Sequence, residues 1–129
     1  REFKPNEYVF AEKTYHDTYD PTRAVRDGRY KYIRYFEVCI FQDLRLATET
    51  RRHQIKPDWR RRTVEELYDV EADPDELRDL SADPEHGDTL RRMRKRLLEW
   101  MRQTDDPLLD GPVPSPFYES KLREFKGDG

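Results

Sequence analysis

The stretch from Asp83 to Thr104 constrains the fold most, because it predicts one long helix with a single apolar face. Asp83, Pro84 and Glu85 are typical of a helix start: an N-cap carboxylate, a proline at the first helical position and an acid in the first turn. Apolar side chains then recur at helical spacing, with most of the arginines off that face. The face consists of Leu90, Met93, Leu97, Trp100 and Met101. A helix over about 84–104 must bury this face against another layer.

Four β-prone segments precede the helix and predict that layer. Residues 7–15 are rich in aromatic and β-branched residues. Asp27-Gly28 joins the runs 22–26 and 29–36 and favours a hairpin with a type I′ turn, in which both central residues have positive φ. Residues 65–70 predict a further strand. The expected fold is α+β: about four antiparallel strands packed against one long C-terminal helix in a two-layer sandwich.

The segments between these elements have weaker signals. Tyr19-Asp20-Pro21 predicts a turn or loop and residues 72–75 predict a turn. Leu77 and Leu80 then give a short apolar anchor. Residues 41–47 favour a short helix.

The ends of the chain are expected to be loosely held. We expect a flexible start at 1–6, a single domain at 7–114 and a mobile tail at 115–129. Four prolines between 107 and 116 indicate a surface strap.

Composition narrows the function classes. Charged residues make up 41% of the chain and apolar residues 34%, against about 25% and about 45–50% in typical domains. This balance indicates either a small domain with a heavily solvated surface or a domain that rests on a larger body. The net charge of −3 gives no global field for nucleic acid or membranes, and no apolar run predicts a membrane span. The first residue is Arg, so we expect a processed chain or a piece of a longer one.

Metal ligands and nucleophiles show no recognisable spacing. The three histidines are far apart and there is one cysteine, so a zinc site is not expected. Cys39 lies in an apolar run, where a buried inert thiol is expected. His16 lies at the end of the first predicted strand, a place that often holds functional side chains. A satisfied or merely exposed histidine is the alternative interpretation.

Arginines cluster at 51–62 and 91–96 and could bind sulfate or phosphate groups through paired hydrogen bonds. A free-standing binding module for sulfated or other anionic polymers is therefore the alternative function. A solvated face balanced by acids explains the same clusters. Aromatic residues are not interleaved with the arginines, so no nucleic-acid partner is expected.

Two segments resemble the C-terminal part of sulfatases. Residues 19–33 are similar to the family's hairpin pattern P-x-R-A-V-R followed by R-Y-K-Y-I. Residues 66–80 resemble its E-L-Y-D, D-P-x-E and N-L series, with Asp79 where Asn is common. Residues 41–44 (F-Q-D-L) and 104–107 (T-D-D-P) are closer to the heparan N-sulfatase (sulfamidase) branch. The matches run from about residue 10 to residue 116.

The resemblance implies a large α/β catalytic domain followed by a smaller domain with a four-stranded antiparallel sheet and a long C-terminal helix. It also implies calcium and a formylglycine, made from Cys or Ser in C/S-x-P-x-R, for cleavage of sulfate esters or sulfamates. This chain has no C/S-x-P-x-R, and the residues after Cys39 exclude it as the precursor. No catalytic residue or metal ligand carries over, and both cofactors are expected in the parent chain only.

We therefore expect a non-catalytic domain that packs on the catalytic domain of its parent chain and shapes the substrate cleft. His16, Glu12 and Arg23 are the candidate substrate-binding residues at the cleft rim, facing a sulfated substrate such as a glycan. Secreted, periplasmic and cytoplasmic microbial parents are all compatible with the sequence.

Overall fold

The computed structural model describes residues 7–16, 18–37 and 64–128, with only the backbone of His16 and Thr18. These residues form a four-stranded antiparallel sheet in the order β1-β2-β3-β4, together with two helices. The strands are β1 (Val9–His16), β2 (Thr18–Arg26), β3 (Tyr30–Tyr35) and β4 (Glu65–Asp69), and the helices are α1 (Gly87–Gln103) and α2 (Pro116–Lys126). Short 3-10 turns span Pro84–His86 and Pro107–Asp110. The α+β prediction is confirmed.

The helix prediction is right for α1 and incomplete for the chain end. Asp83 caps the 3-10 turn that leads into α1, and its Oδ1 accepts from the Glu85 N–H at 3.0 Å. The expectation of one long C-terminal helix is only partly right, because α2 follows within the segment expected to be a mobile tail. Ser115 caps α2 by accepting from Tyr118 N–H, and Gly127 ends it with φ 78°. The domain boundaries and the mobility of both ends stay predictions.

The core lies between α1 and one face of the sheet. Phe10, Val25, Tyr32 and Leu67 pair across the four strands in one row. Four side chains of α1 are buried against this face: Leu90, Met93, Leu97 and Met101. Trp100, predicted on the same helical face, lies at the edge and stacks on Phe10 with ring centroids 4.8 Å apart.

The β2–β3 hairpin is present, but its turn differs from the prediction. Asp27 N–H donates to Tyr30 O, so the tight loop is Gly28-Arg29 rather than Asp27-Gly28. Among the described residues, positive φ occurs at Glu76, Asp105, Gly111 and Gly127 and not here, so the turn is not type I′. The Asp27 carboxylate accepts from the backbone N–H groups of Arg29 and Tyr30, and these bonds hold the loop.

The turn predicted at Tyr19-Asp20-Pro21 is wrong, because all three residues lie within β2. Lys13 pairs with Thr22 and Tyr15 pairs with Tyr19, so Thr14 alone faces two residues, Asp20 and Pro21. Such a β-bulge tolerates a proline, because its missing N–H is not needed by the ladder.

The segment after β4 is anchored by one leucine rather than two. Leu80 is buried, whereas Leu77 is 80% exposed, so the prediction fails for Leu77. Leu80 N–H donates to Leu67 O, and Leu67 N–H donates to the Asp79 carboxylate. An asparagine has the same Oδ1 acceptor, which explains how Asp79 stands where sulfatases commonly carry Asn.

Three predictions concern residues outside the described part of the chain: the 41–47 helix, buried Cys39 and the basic cluster at 51–62. Within the described part, no helix is both long and apolar enough to cross a membrane.

Candidate functional site at one end of the sheet

A row of four charged residues lies next to the apolar core row. Glu12, Arg23, Arg34 and Glu65 pair across the four strands. Each is two positions along its strand from a member of the core row, so all four side chains belong to the face that α1 covers. The two arginines are direct neighbours, so each requires a nearby acid to offset the repulsion between them.

Arg23 satisfies this requirement with a carboxylate 83 positions later in the chain. Its Nε and Nη2 donate to the two carboxylate oxygens of Asp106 at 2.6 and 3.1 Å. Nη1 donates to the carbonyls of Lys13 and Thr22, and Nη2 also donates to the Thr14 hydroxyl. These contacts use every N–H of the guanidinium, whose side chain is 2% exposed. Arg23 therefore joins β1, β2 and the segment after α1.

The partner of Arg23 also organises the chain beyond α1. Asp106 Oδ1 accepts from Leu108 N–H at 3.1 Å and so caps the Pro107–Asp110 turn. Burial raises the pKa of the Asp106 carboxyl, but the hydrogen bonds from Arg23 and Leu108 outweigh it and leave the pKa below its ordinary value. Asp106 is consequently ionised at neutral pH.

Two tyrosines fasten the end of the β1–β2 hairpin to the strap after α1. The Tyr15 hydroxyl donates to Val113 O at 2.8 Å, and Val113 N–H donates to the Tyr19 hydroxyl at 3.0 Å. The two rings lie 5.1 Å apart. The surface strap predicted from the prolines is thus held at this end of the sheet. We call the end formed by Tyr15, His16, Thr18 and Tyr19 the β1–β2 tip.

The three predicted rim residues occupy different environments. The backbone of His16 pairs with Thr18 at the β1–β2 tip, and its side chain is outside the described atoms. Glu12 pairs with Arg23 across the strands; its carboxylate is 3.8 Å from Arg23 Nε and its side chain is 64% exposed. His16 lies four residues further along β1, roughly 13 Å from Glu12. Substrate contact by all three stays a prediction.

The second arginine of the row belongs to a cluster that the sequence analysis did not identify. Glu65 accepts from Tyr32 hydroxyl at 2.7 Å, from Arg94 Nε at 2.7 Å and from Arg34 Nη1 at 3.4 Å. The hydrogen bonds from Arg94 are the main reason that the pKa of Glu65 is lowered, against the opposing effect of burial. Burial and the bond to Glu65 raise the pKa of Tyr32 to about 12. The sequence could have indicated this cluster only through Tyr32 and Arg34, which share one face of β3.

The four arginines of the 91–96 cluster engage acids or aromatic rings within the chain. Arg91 pairs with Asp88, Arg92 with Asp27 and Arg94 with Glu65. The guanidinium of Arg96 lies 4.9 Å from the ring centroids of Tyr8 and Phe10. This pattern fits the solvated face balanced by acids.

No cluster of three or more His, Cys, Asp or Glu side chains that could hold a metal ion occurs in the ranges that the structure describes. The resemblance implies calcium in the catalytic domain of the parent chain only, and that expectation stays a prediction.

Comparison with curated proteins gives two relatives, both ulvan-active sulfatases of Formosa agariphila. One is 27% identical over an alignment of 143 positions that covers 99% of this chain and 28% of the relative. The other is 32% identical over 120 positions, covering 80% of this chain and 20% of the relative. These relatives are sulfatases. This chain spans 28% and 20% of their lengths. No protein-family model matches.

Solved structures agree with the sulfatase relatives. A protein of Bacteroides thetaiotaomicron VPI-5482 assigned as a sulfatase superposes with TM-score 0.60 at 26% identity, covering 90% of this chain and 20% of its own. A 2-O GAG sulfatase gives TM-score 0.62 at 26% identity, covering 89% and 20%. The resemblance to sulfatases seen in the motifs is thereby supported, while the heparan N-sulfatase branch stays a prediction.

Replacing Asp106 tests whether Arg23 is the anchor of this end. Asp106→Ala leaves a buried guanidinium without its anion and should lower the free energy of unfolding by about 3–5 kcal/mol at pH 7. Asp110→Ala, at an exposed position of the same 3-10 turn, is the matched control and should change it by less than about 0.5 kcal/mol. Urea denaturation measures both.

The same variants carry a pH signature. Since the folded pKa of Asp106 is lowered, its stabilising contribution is present above the unfolded value and is lost as pH falls through the folded value. The Asp106→Ala penalty should therefore shrink as the pH falls below about 4. A penalty under about 1 kcal/mol at pH 7, or one independent of pH, would show that this pair is not the anchor.

Proposed function

We propose that this chain is the non-catalytic C-terminal subdomain of a sulfatase, and that it packs on the catalytic domain of its parent chain and forms one wall of the substrate cleft. The observation that carries the proposal is the likeness to sulfatases, which covers about nine tenths of this chain and a fifth of each matched structure. The fold is thus found as a part of larger sulfatases. The parent would hydrolyse a sulfate ester or sulfamate with the calcium and formylglycine of its catalytic domain.

Helix α2 supports packing on a larger body. None of its residues is buried, and Phe117, Tyr118 and Phe125 are 73%, 59% and 89% exposed. An isolated helix of 11 residues is marginal in water, and exposed aromatic side chains at neighbouring positions mark an interaction surface. We assign this surface to the catalytic domain of the parent, because the matched relatives are several times longer than this chain.

The β1–β2 tip is the part of the subdomain that we place at the cleft. The tip is fixed by the Val113 bonds and by the Arg23–Asp106 pair, so its backbone and its two tyrosines are held in position before substrate arrives. His16 and the exposed Glu12 carboxylate would contact the sugar. Arg23, whose N–H groups are all engaged, would act as a positioning residue.

The proposed substrate is a sulfated polysaccharide. The two curated relatives are described as ulvan-active and one matched structure as a GAG sulfatase, so both descriptions concern sulfated glycans. The heparan N-sulfatase branch is a narrower proposal that rests on residues 41–44 and 104–107. The second of these motifs contains Asp106, whose bond to Arg23 gives it a structural role.

The alternative, a free-standing module for anionic polymers, has less support. Arg91 and Arg92 of α1 already pair with acids of their own. Its other basic cluster, 51–62, lies outside the described residues.

The cleft assignment is tested by His16→Ala in the complete parent enzyme. If the imidazole donates or accepts one hydrogen bond to the sugar, kcat/KM for sulfate release from ulvan or a glycosaminoglycan should fall about tenfold. Glu7→Gln, at an exposed position before the other end of β1, is the control. An unchanged kcat/KM in His16→Ala removes His16 from the cleft.

The docking assignment is tested by the double substitution Phe117→Ser and Phe125→Ser. Both side chains are exposed in this chain, so the melting temperature of the isolated 129-residue chain should stay within about 1 °C. The complete parent loses buried aromatic contacts and should melt roughly 4 °C lower or more. Equal melting temperatures for the wild-type and substituted parent would place the catalytic domain elsewhere. Calorimetry on both lengths gives the comparison.

A further inference from the structure

A groove of about 510 Å³ opens between β3, the second half of α1 and the Pro107–Asp110 turn. Arg34 and Arg94 contribute its charged side, and Phe36, Leu98 and Leu109 contribute apolar sides. The groove lies toward the same end of the sheet as the β1–β2 tip, because β1 and β3 both run antiparallel to β2 and therefore point in the same direction.

Among the described residues, the groove carries an excess positive charge. Two guanidiniums, those of Arg34 and Arg94, share the carboxylate of Glu65. The bonds to Glu65 use two of the three nitrogens of Arg94 and one of the three of Arg34. Both guanidiniums therefore keep N–H donors for a further acceptor. The Arg94 side chain is 45% exposed and the Arg34 side chain 38%.

The buried carboxylate of Glu65 holds the two arginines in position. Glu65 is 9% exposed and accepts from the buried Tyr32 hydroxyl at 2.7 Å. A carboxylate fixed in this way restricts the guanidiniums before any ligand binds, which lowers the entropic cost of binding. Paired guanidiniums are the groups best suited to the oxygens of sulfate or carboxylate.

The apolar sides of the groove narrow the ligand class. Phe36, Leu98 and Leu109 are 38%, 37% and 42% exposed, so they offer apolar surface directly beside the positive charge. An inorganic anion would use the arginines alone. A sugar ring that carries a sulfate or carboxylate would place its anionic group on the arginines and its C–H face on the apolar side chains.

We propose that this groove is a subsite for an anionic sugar unit of the polysaccharide whose neighbouring unit loses its sulfate at the catalytic centre. The proposal rests on the proposed function, which puts this end of the sheet at the substrate cleft. β1 and β3 are separated by one strand, so Arg34 lies roughly 10 Å from the Glu12 position of β1. A chain of several sugars can reach both.

The test uses Arg34→Gln in the complete parent enzyme, because Glu65 keeps Tyr32 and Arg94 as partners in this variant. With ulvan as substrate, KM should rise about tenfold at unchanged kcat, because the variant loses one charge-assisted hydrogen bond to the substrate. Arg34→Lys should recover part of the loss. The control is Arg91→Gln, at a 69% exposed position of α1, which should leave KM unchanged.

An unchanged KM in Arg34→Gln overturns the subsite. If Arg34→Gln lowers the melting temperature of the parent and leaves KM unchanged, the subsite is also overturned. The groove would then be a contact surface for the catalytic domain. If the wild-type parent releases no sulfate, the proposed function fails instead. The groove is then tested by ulvan binding to the complete parent: about tenfold weaker binding by Arg34→Gln supports the subsite, and equal binding overturns it.

Discussion

The buried guanidinium of Arg23 is the constraint on which this end of the molecule depends. A buried charge is tolerated when it is paired and all of its hydrogen bonds are made. Asp106 supplies the charge, and the carbonyls of Lys13 and Thr22 and the Thr14 hydroxyl supply the other acceptors. The bulge in β2, the edge strand β1 and the segment after α1 must therefore all be in place together.

Two neighbouring rows of side chains on the sheet have different roles: one forms the core, and the other forms the candidate site. The apolar row that contains Val25 and Tyr32 receives α1 and forms the core. The charged row that contains Arg23 and Arg34 lies two residues further along the same strands. Because the two rows share a face, the packing that fixes the core also fixes the charged groups. The candidate cleft wall is therefore as rigid as the core that supports it.

Local patterns predicted the elements whose signals are local. The helix start at Asp83 and the apolar face of α1 depend on neighbouring residues and were predicted correctly. Asp20 and Pro21 were misassigned, because a turn and a β-bulge favour the same residues and only the pairing with β1 distinguishes them. Helix α2 was missed because the prolines between 107 and 116, just before it, favoured an irregular tail over a helix.

The site was less predictable than the fold because its contacts are long-range. Arg23 was predicted at the cleft rim, and that role stays a prediction; its buried contacts depend on Asp106, far away in sequence. The Glu65 cluster unites residues of β3, β4 and α1 that no local motif connects. The resemblance to sulfatases supplied what the residue patterns could not, since the likeness spans most of the chain.

The intact mass of the native protein, with sequencing of its peptides, tests whether this chain is part of a larger sulfatase. We expect a polypeptide several times heavier than the 15.7 kDa of this chain, with C/S-x-P-x-R outside these residues and its Cys or Ser converted to formylglycine. A native polypeptide of about 15.7 kDa would show that the fold exists without a catalytic domain, and the proposed subdomain role would be wrong.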